Sequence, residues 1–126
     1  MADGDIILMD ERKFSVKLFD AHNAASASPW IEVPPMYSIW ALHADNLGTD
    51  TVQIQVSNAV AQPASNVNGG ILGFQQGTTW AVTLTGATNT ATVLGWLVGS
   101  AFRWVRAVKT GTAATTTLIL EADSNQ

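Results

Sequence analysis

Along much of this chain apolar and polar residues alternate one for one. In Thr51-Val-Gln-Ile-Gln-Val-Ser57, Val52, Ile54 and Val56 fall on one side, and Gln53 and Gln55 on the other. That is the two-residue period of a half-buried strand. In 14–19, Phe14, Val16 and Leu18 oppose Ser15 and Lys17. In 79–85, Trp80, Val82 and Leu84 alternate with Thr79, Ala81, Thr83 and Thr85. The pattern predicts strands over 5–9, 13–19, 30–33, 37–44, 51–57, 79–85, 91–98, 102–109 and 115–121. Turn residues separate them at Asp10-Glu11-Arg12, Asp45–Gly48, Asn68-Gly69-Gly70, Gly86–Asn89 and Thr110-Gly111. The stretch 91–108 also fits a helix, but Gly95 and Gly99 would each cost a helix interior about 1 kcal/mol. Val93, Val98, Val105 and Val108 favour strands there.

The signature strand Phe102–Lys109 and the run Thr115–Glu121 flank a Gly-containing turn, Thr110–Ala113, and read as a hairpin. Many short strands with regular turns make the chain all-β, an antiparallel β-sandwich, jelly-roll-like, of about eight or nine strands. With 126 residues the expectation is one domain over 1–126. Segment 1–19 is a candidate contact arm. Residues 20–29, small and polar, read as a loop or crossover. Residues 58–77, with Pro63, Asn66, Asn68, Gly69 and Gly70, read as a long loop insert, and loops of that length are usually functional or packed on a partner.

Composition sharpens this picture. Apolar residues make up 47% of the chain and charged residues only 13%, against roughly 25% charged in an average soluble domain. Charge is depleted where subunits pack together, so the surface points to assembly. The net charge is −4, and the basic residues Arg12, Lys13, Lys17, Arg103, Arg106 and Lys109 are too sparse for a nucleic-acid footprint or an anionic membrane surface. There is no cysteine, which excludes disulfides and thiolate metal sites. The apolar stretch Ile6–Met9, behind an acidic Met-Ala-Asp-Gly-Asp, is too short for a signal peptide. No run approaches the ~20 apolar residues of a membrane span. The expected place of synthesis and assembly is the cytoplasm.

Candidate chemistry is sparse, and no catalytic residue, cofactor or metal site is assigned. No serine sits in a Gly-x-Ser-x-Gly elbow. His22 reads as solvated and His43 as a partly buried structural histidine, and two histidines alone make no metal site. Asp45–Asp50 lacks the twelve-residue pattern and closing Glu of a calcium loop. Gly69-Gly70 lacks the strand-to-helix context of a phosphate cradle. Of the five tryptophans, Trp80 and Trp104 are expected in the core, and Trp30, beside Pro29, at the surface or an interface. Arg106 shares a face with Phe102 and Trp104; semi-buried there, it would need carbonyls or a carboxylate such as Glu32 or Glu121.

Taken together, Thr51–Ser57, Gly77-Thr-Thr-Trp-Ala-Val-Thr-Leu84, Phe102–Lys109 and Gly111-Thr-Ala113 resemble a pattern in small bacteriophage virion proteins. In that pattern a Val-Gln-x-Gln-x-Ser strand precedes Gly-Thr-x-Trp and a later Tyr-Arg-Trp-Ile-Arg-Ala. The resemblance runs from residue 50 to residue 121; the 58–77 insert departs from it. It implies a β-sandwich or jelly-roll capsid decoration (cement) protein, or a related head or tail accessory protein. Such a protein acts without catalysis, binding the major capsid protein on the virion exterior and pairing with itself as a dimer or trimer. The alternative is a glycan-binding module of a fibre or tail tip, which needs a row of exposed aromatics beside Asn, Gln or Asp.

Overall fold

The computed structural model describes residues 2–76, 79–85, 92–98 and 102–124. The turn expected at Gly86–Asn89, Gly99 and the side chain of Trp96 lie outside the described residues. Every described element is a strand: β1 (Asp5–Met9), β2 (Lys13–His22), β3 (Ile31–Glu32), β4 (Tyr37–Asp45), β5 (Thr51–Ser57), β6 (Gly70–Ile71), β7 (Phe74–Gln76), β8 (Thr79–Ala81), β9 (Leu84–Thr85), β10 (Thr92–Val98), β11 (Trp104–Thr110) and β12 (Thr116–Ser124).

Among the described residues all strand pairings are antiparallel and form two sheets. The larger runs β1-β2-β12-β4-β10-β7-β8. The smaller runs β3-β11-β5-β6, with β9 also on β5. Between them lies one core, in which Phe14, Val16 and Leu18 of β2 meet Trp40 and Leu42 of β4, Val52 and Ile54 of β5, and Val105 and Ala107 of β11. The alternation therefore located the inward faces of the long strands correctly. Trp40 fills the core beside Phe102, with ring centroids 6.1 Å apart, and its Nε1 donates to the Tyr37 carbonyl at 2.8 Å.

Three expectations need correction. First, β11 and β12 are not a hairpin. β11 pairs with β3 and β5 in the small sheet, and β12 with β2 and β4 in the large one. The chain crosses the sandwich at 111–115 beside the crossing of 46–50, which runs the opposite way. Asp50 pins the two crossings together: its carboxylate accepts the Ala113 and Ala114 N–H groups at 3.2 and 2.9 Å. Gly111 makes the bend at φ +89°, where a β-carbon would also meet the Asp50 carboxylate.

Second, 79–85 is two strands in two sheets. β8 pairs with β7, and β9 with β5. The alternation resets between them, so Leu84 is buried while Trp80 is 69% exposed. Third, 1–19 divides. Residues 13–19 belong to an interior strand, and only β1 is exposed at all five side chains. The 58–77 insert likewise contains β6 and β7.

Candidate functional site

The outer face of the small sheet is not bare. Loop 58–69 lies over it, held by the strand that the sequence singles out. Gln55 and Arg106 are cross-strand partners on β5 and β11, and both point away from the core, opposite to Val56 and Ala107. Arg106 Nε donates to Gln55 Oε1 at 2.9 Å, Nη1 to the Ser65 carbonyl at 2.8 Å and Nη2 to the Val67 carbonyl at 2.9 Å. Gln55 Oε1 also accepts the Gly69 N–H. Arg103 binds the Val60 carbonyl, Trp104 Nε1 donates to the Ala59 carbonyl, and the Arg103 N–H reaches Asn58 Oδ1. The Gln-x-Gln and Arg-Trp-Val-Arg motifs, far apart in sequence, are thus two halves of one clamp.

Trp30 sits inside this clamp, only 4% exposed, with the Arg106 guanidinium 4.7 Å from its ring centroid. The expectation of a surface Trp30 fails because a distant loop covers it. Gly69 passes so close that an added β-carbon would lie 2.5 Å from the Val56 carbonyl oxygen and 2.7 Å from the Trp30 ring. Among the described residues Arg106 has no carboxylate partner: it is bound by neutral acceptors and not by Glu32 or Glu121. Burial lowers its pKa below the ordinary arginine value. Trp104 also faces outward rather than into the core. Beside the clamp a cavity of about 410 Å³ is lined by Glu32, Val33, Pro34, Pro35, Phe102 and Arg103.

Three residues that the sequence left apart come together near the N-terminus. His22 Nδ1 lies 2.8 Å from Asp3 Oδ2 and Nε2 3.0 Å from Ser26 Oγ; in the neutral ring with the proton on Nδ1, Nδ1 donates to Asp3 and Nε2 accepts from Ser26. The order is that of a Ser-His-Asp relay. Asp3 Oδ1 also takes the Asp20 N–H at 2.6 Å, and the His22 ring stacks on Phe19 at 4.1 Å. The cluster ties the segment before β1 to the end of β2. His22 is therefore a packed, hydrogen-bonded side chain and not a solvated one. His43 is partly exposed on β4 and pairs with Asp45 at 3.0 Å.

Asp50, the other end of the calcium-like turn, faces donors. Besides the two N–H groups it meets Lys109 Nζ at 3.3 Å. Burial pushes its carboxyl up, but the Ala114 and Ala113 N–H groups and the Lys109 ammonium outweigh that and hold it below the ordinary carboxylate range. Lys109 is itself buried and also donates to the carbonyls of His22 and Ala114.

The charge map divides the molecule. All ten acidic and six basic residues, and both histidines, lie in 1–50 and 103–126; the stretch 51–102 has none. That stretch supplies β5 to β10, which form the β10-β7-β8 end of the large sheet and the β5-β6 end of the small one. One side of the sandwich is thus built without charge and exposes Ile71, Trp80 and Val82. The opposite edge, β1, exposes Ile6, Ile7, Leu8 and Met9 between Asp3, Asp5, Asp10 and Glu11.

No protein-family model matches the chain, and no curated protein matches it. Among solved structures the chain is similar to the SPBc2 prophage-derived protein YomS. The TM-score is 0.70 over 94% of this chain and 99% of that one, at 9% sequence identity. The two share a fold over essentially their whole lengths.

Proposed function

We propose that this protein is a non-enzymatic structural component of a phage virion, binding the capsid surface and stabilising the head. The observation that carries the reading is the fold match, over nearly the whole of both chains, to a prophage-derived protein. The charge-free half supports it, because interface cores shed charge. Each copy would bridge neighbouring capsid subunits; binding the assembled shell and not free subunits stabilises the shell by mass action. Assembly would occur in the host cytoplasm, on the capsid exterior. The Asp3-His22-Ser26 chain is read as a pin, since Asp3 also anchors the backbone of β2.

The test is mass spectrometry of gradient-purified phage particles, with co-sedimentation of the purified chain on heads stripped of it. Stoichiometric recovery with heads, in a protease-accessible position, is expected. Its absence from heads, or recovery with tails alone, overturns the capsid reading.

A second reading, glycan binding by a fibre or tail tip, is favoured by Trp80, exposed and placed across from Gln75 on β7. Tryptophan emission that shifts with an added oligosaccharide, and no longer does so in Trp80→Ala, would support it over the first.

A further inference from the structure

We propose that this protein assembles head to tail, the β1 edge of one copy adding to the β8 edge of the next so that the large sheets run on from copy to copy. Among the described residues, six of the ten exposed large apolar side chains sit at or next to these two edges: Ile6, Ile7, Leu8 and Met9 on β1, Trp80 on β8 and Val82 in the bend just after it. A sheet edge offers unpaired N–H and C=O groups, and an apolar one is a template for another strand. β1 is apolar on both faces. Ile6 and Met9 stand opposite Val16 and Phe14, on the core side, and Leu8 opposite Ser15, on the outer side. All five of its side chains are exposed, Ile6, Ile7, Leu8 and Met9 to 41–52%.

Charge decides which edge is the partner. β1 is bracketed by Asp3 and Asp5 on one side and by Asp10 and Glu11 on the other. Two β1 strands paired antiparallel about a two-fold axis would bring both brackets together, and like charges across a strand pair are destabilising. The β8 edge lies within the charge-free stretch and takes an acid-flanked strand without that repulsion. Because β1 and β8 are opposite ends of one sheet, the contact is heterologous and repeats, closing into a ring or continuing as a filament. This inference stands apart from the capsid reading: a chain that assembles but does not bind heads overturns only that reading.

The experiment is sedimentation velocity over a concentration series with the wild type, Ile7→Glu, Trp80→Glu and an equimolar mixture of the two variants. Val60→Glu, at an exposed site off both edges, is the control. The wild type and Val60→Glu should form the same oligomers, and each edge variant should be a monomer. The mixture should give a one-to-one dimer and nothing larger, because one intact β1 meets one intact β8. Circular dichroism establishes folding, and Met9→Glu and Val82→Glu replace any edge variant that fails it. A wild type that stays monomeric at millimolar concentration overturns the proposal. So does a Trp80→Glu variant that assembles like wild type, or a mixture that does not pair.

Discussion

Arg106 and Lys109 lie on one strand, are both buried and point to opposite sides of it, and the fold accommodates them differently. Lys109 points into the sandwich and has a carboxylate, Asp50, with two carbonyls completing its shell. Arg106 points outward beneath loop 58–69 and, among the described residues, has only neutral acceptors and the face of Trp30. The difference follows from where water can return. The crossing at 46–50 and 111–115 is fixed by both sheets, so a charge left alone there stays dry. The clamp's partners are carbonyls of a surface loop, which can lift and rehydrate. An interior cation therefore needs its counter-ion, whereas a cation under a lid needs only the lid.

The comparison breaks most severely at Asp50. Asp50→Ala leaves Lys109 buried without its counter-ion and two N–H groups without an acceptor. The expected loss is about 3–5 kcal/mol of unfolding free energy by urea titration. Adding Lys109→Met should recover part of it, since no unpaired charge then remains; a double variant no better than Asp50→Ala would show that the N–H groups, not the ion pair, carry the corner. The sign with pH is fixed by the depressed carboxyl. Its contribution is complete above the unfolded carboxylate value of about 3.9 and is lost as pH falls through the lower folded value. Asp50→Asn should therefore flatten the wild type's acid limb below pH ~4 and leave the neutral-pH slope unchanged.

Arg106→Met tests the other half. It removes charge-assisted bonds of about 1.5–3 kcal/mol each at most, but the freed carbonyls can reach water, so the net cost should stay near 2–3 kcal/mol. The distinguishing readout is limited proteolysis: cleavage within 58–69 should rise far more than global stability falls. Equal losses in both would mean that the loop and the sandwich unfold as one unit. Gly69→Ala attacks the same lid from above. Its β-carbon must displace the Val56 carbonyl or the Trp30 ring, at about 1–3 kcal/mol, again with new cleavage in the loop.

This contrast also explains what could be read from the chain in advance. Alternation placed the long strands and their inward faces, because Val52, Ile54 and Val56 need only their own sequence to declare a side. It could not show that β11 and β12 part company, since that is decided by Asp50 binding Ala113 and Ala114 from more than sixty residues away. Trp30 failed for the same reason: its cover is a loop some thirty residues on and an arginine on β11. Trp80 failed because a switch of sheets between β8 and β9 reset the period. The charge-free stretch 51–102 was visible in the sequence all along, but it became a surface only when β10, β7 and β8 were seen to share one end of a sheet.

The smallest effect is the most useful control. Lys13 and Asp123 form an ion pair at 3.3 Å between the paired strands β2 and β12, with side chains 54% and 49% exposed. The chemistry matches that of Lys109 and Asp50, and so does the separation. In water such a pair contributes little, because solvent screens it and two long side chains lose freedom to make it. Lys13→Ala should therefore change the unfolding free energy by urea titration by less than about 0.5 kcal/mol, and added salt should erase what change there is. A loss approaching that of Asp50→Ala would mean that geometry, and not exclusion of water, sets the strength of these pairs. The account of the two buried cations would then fail with it.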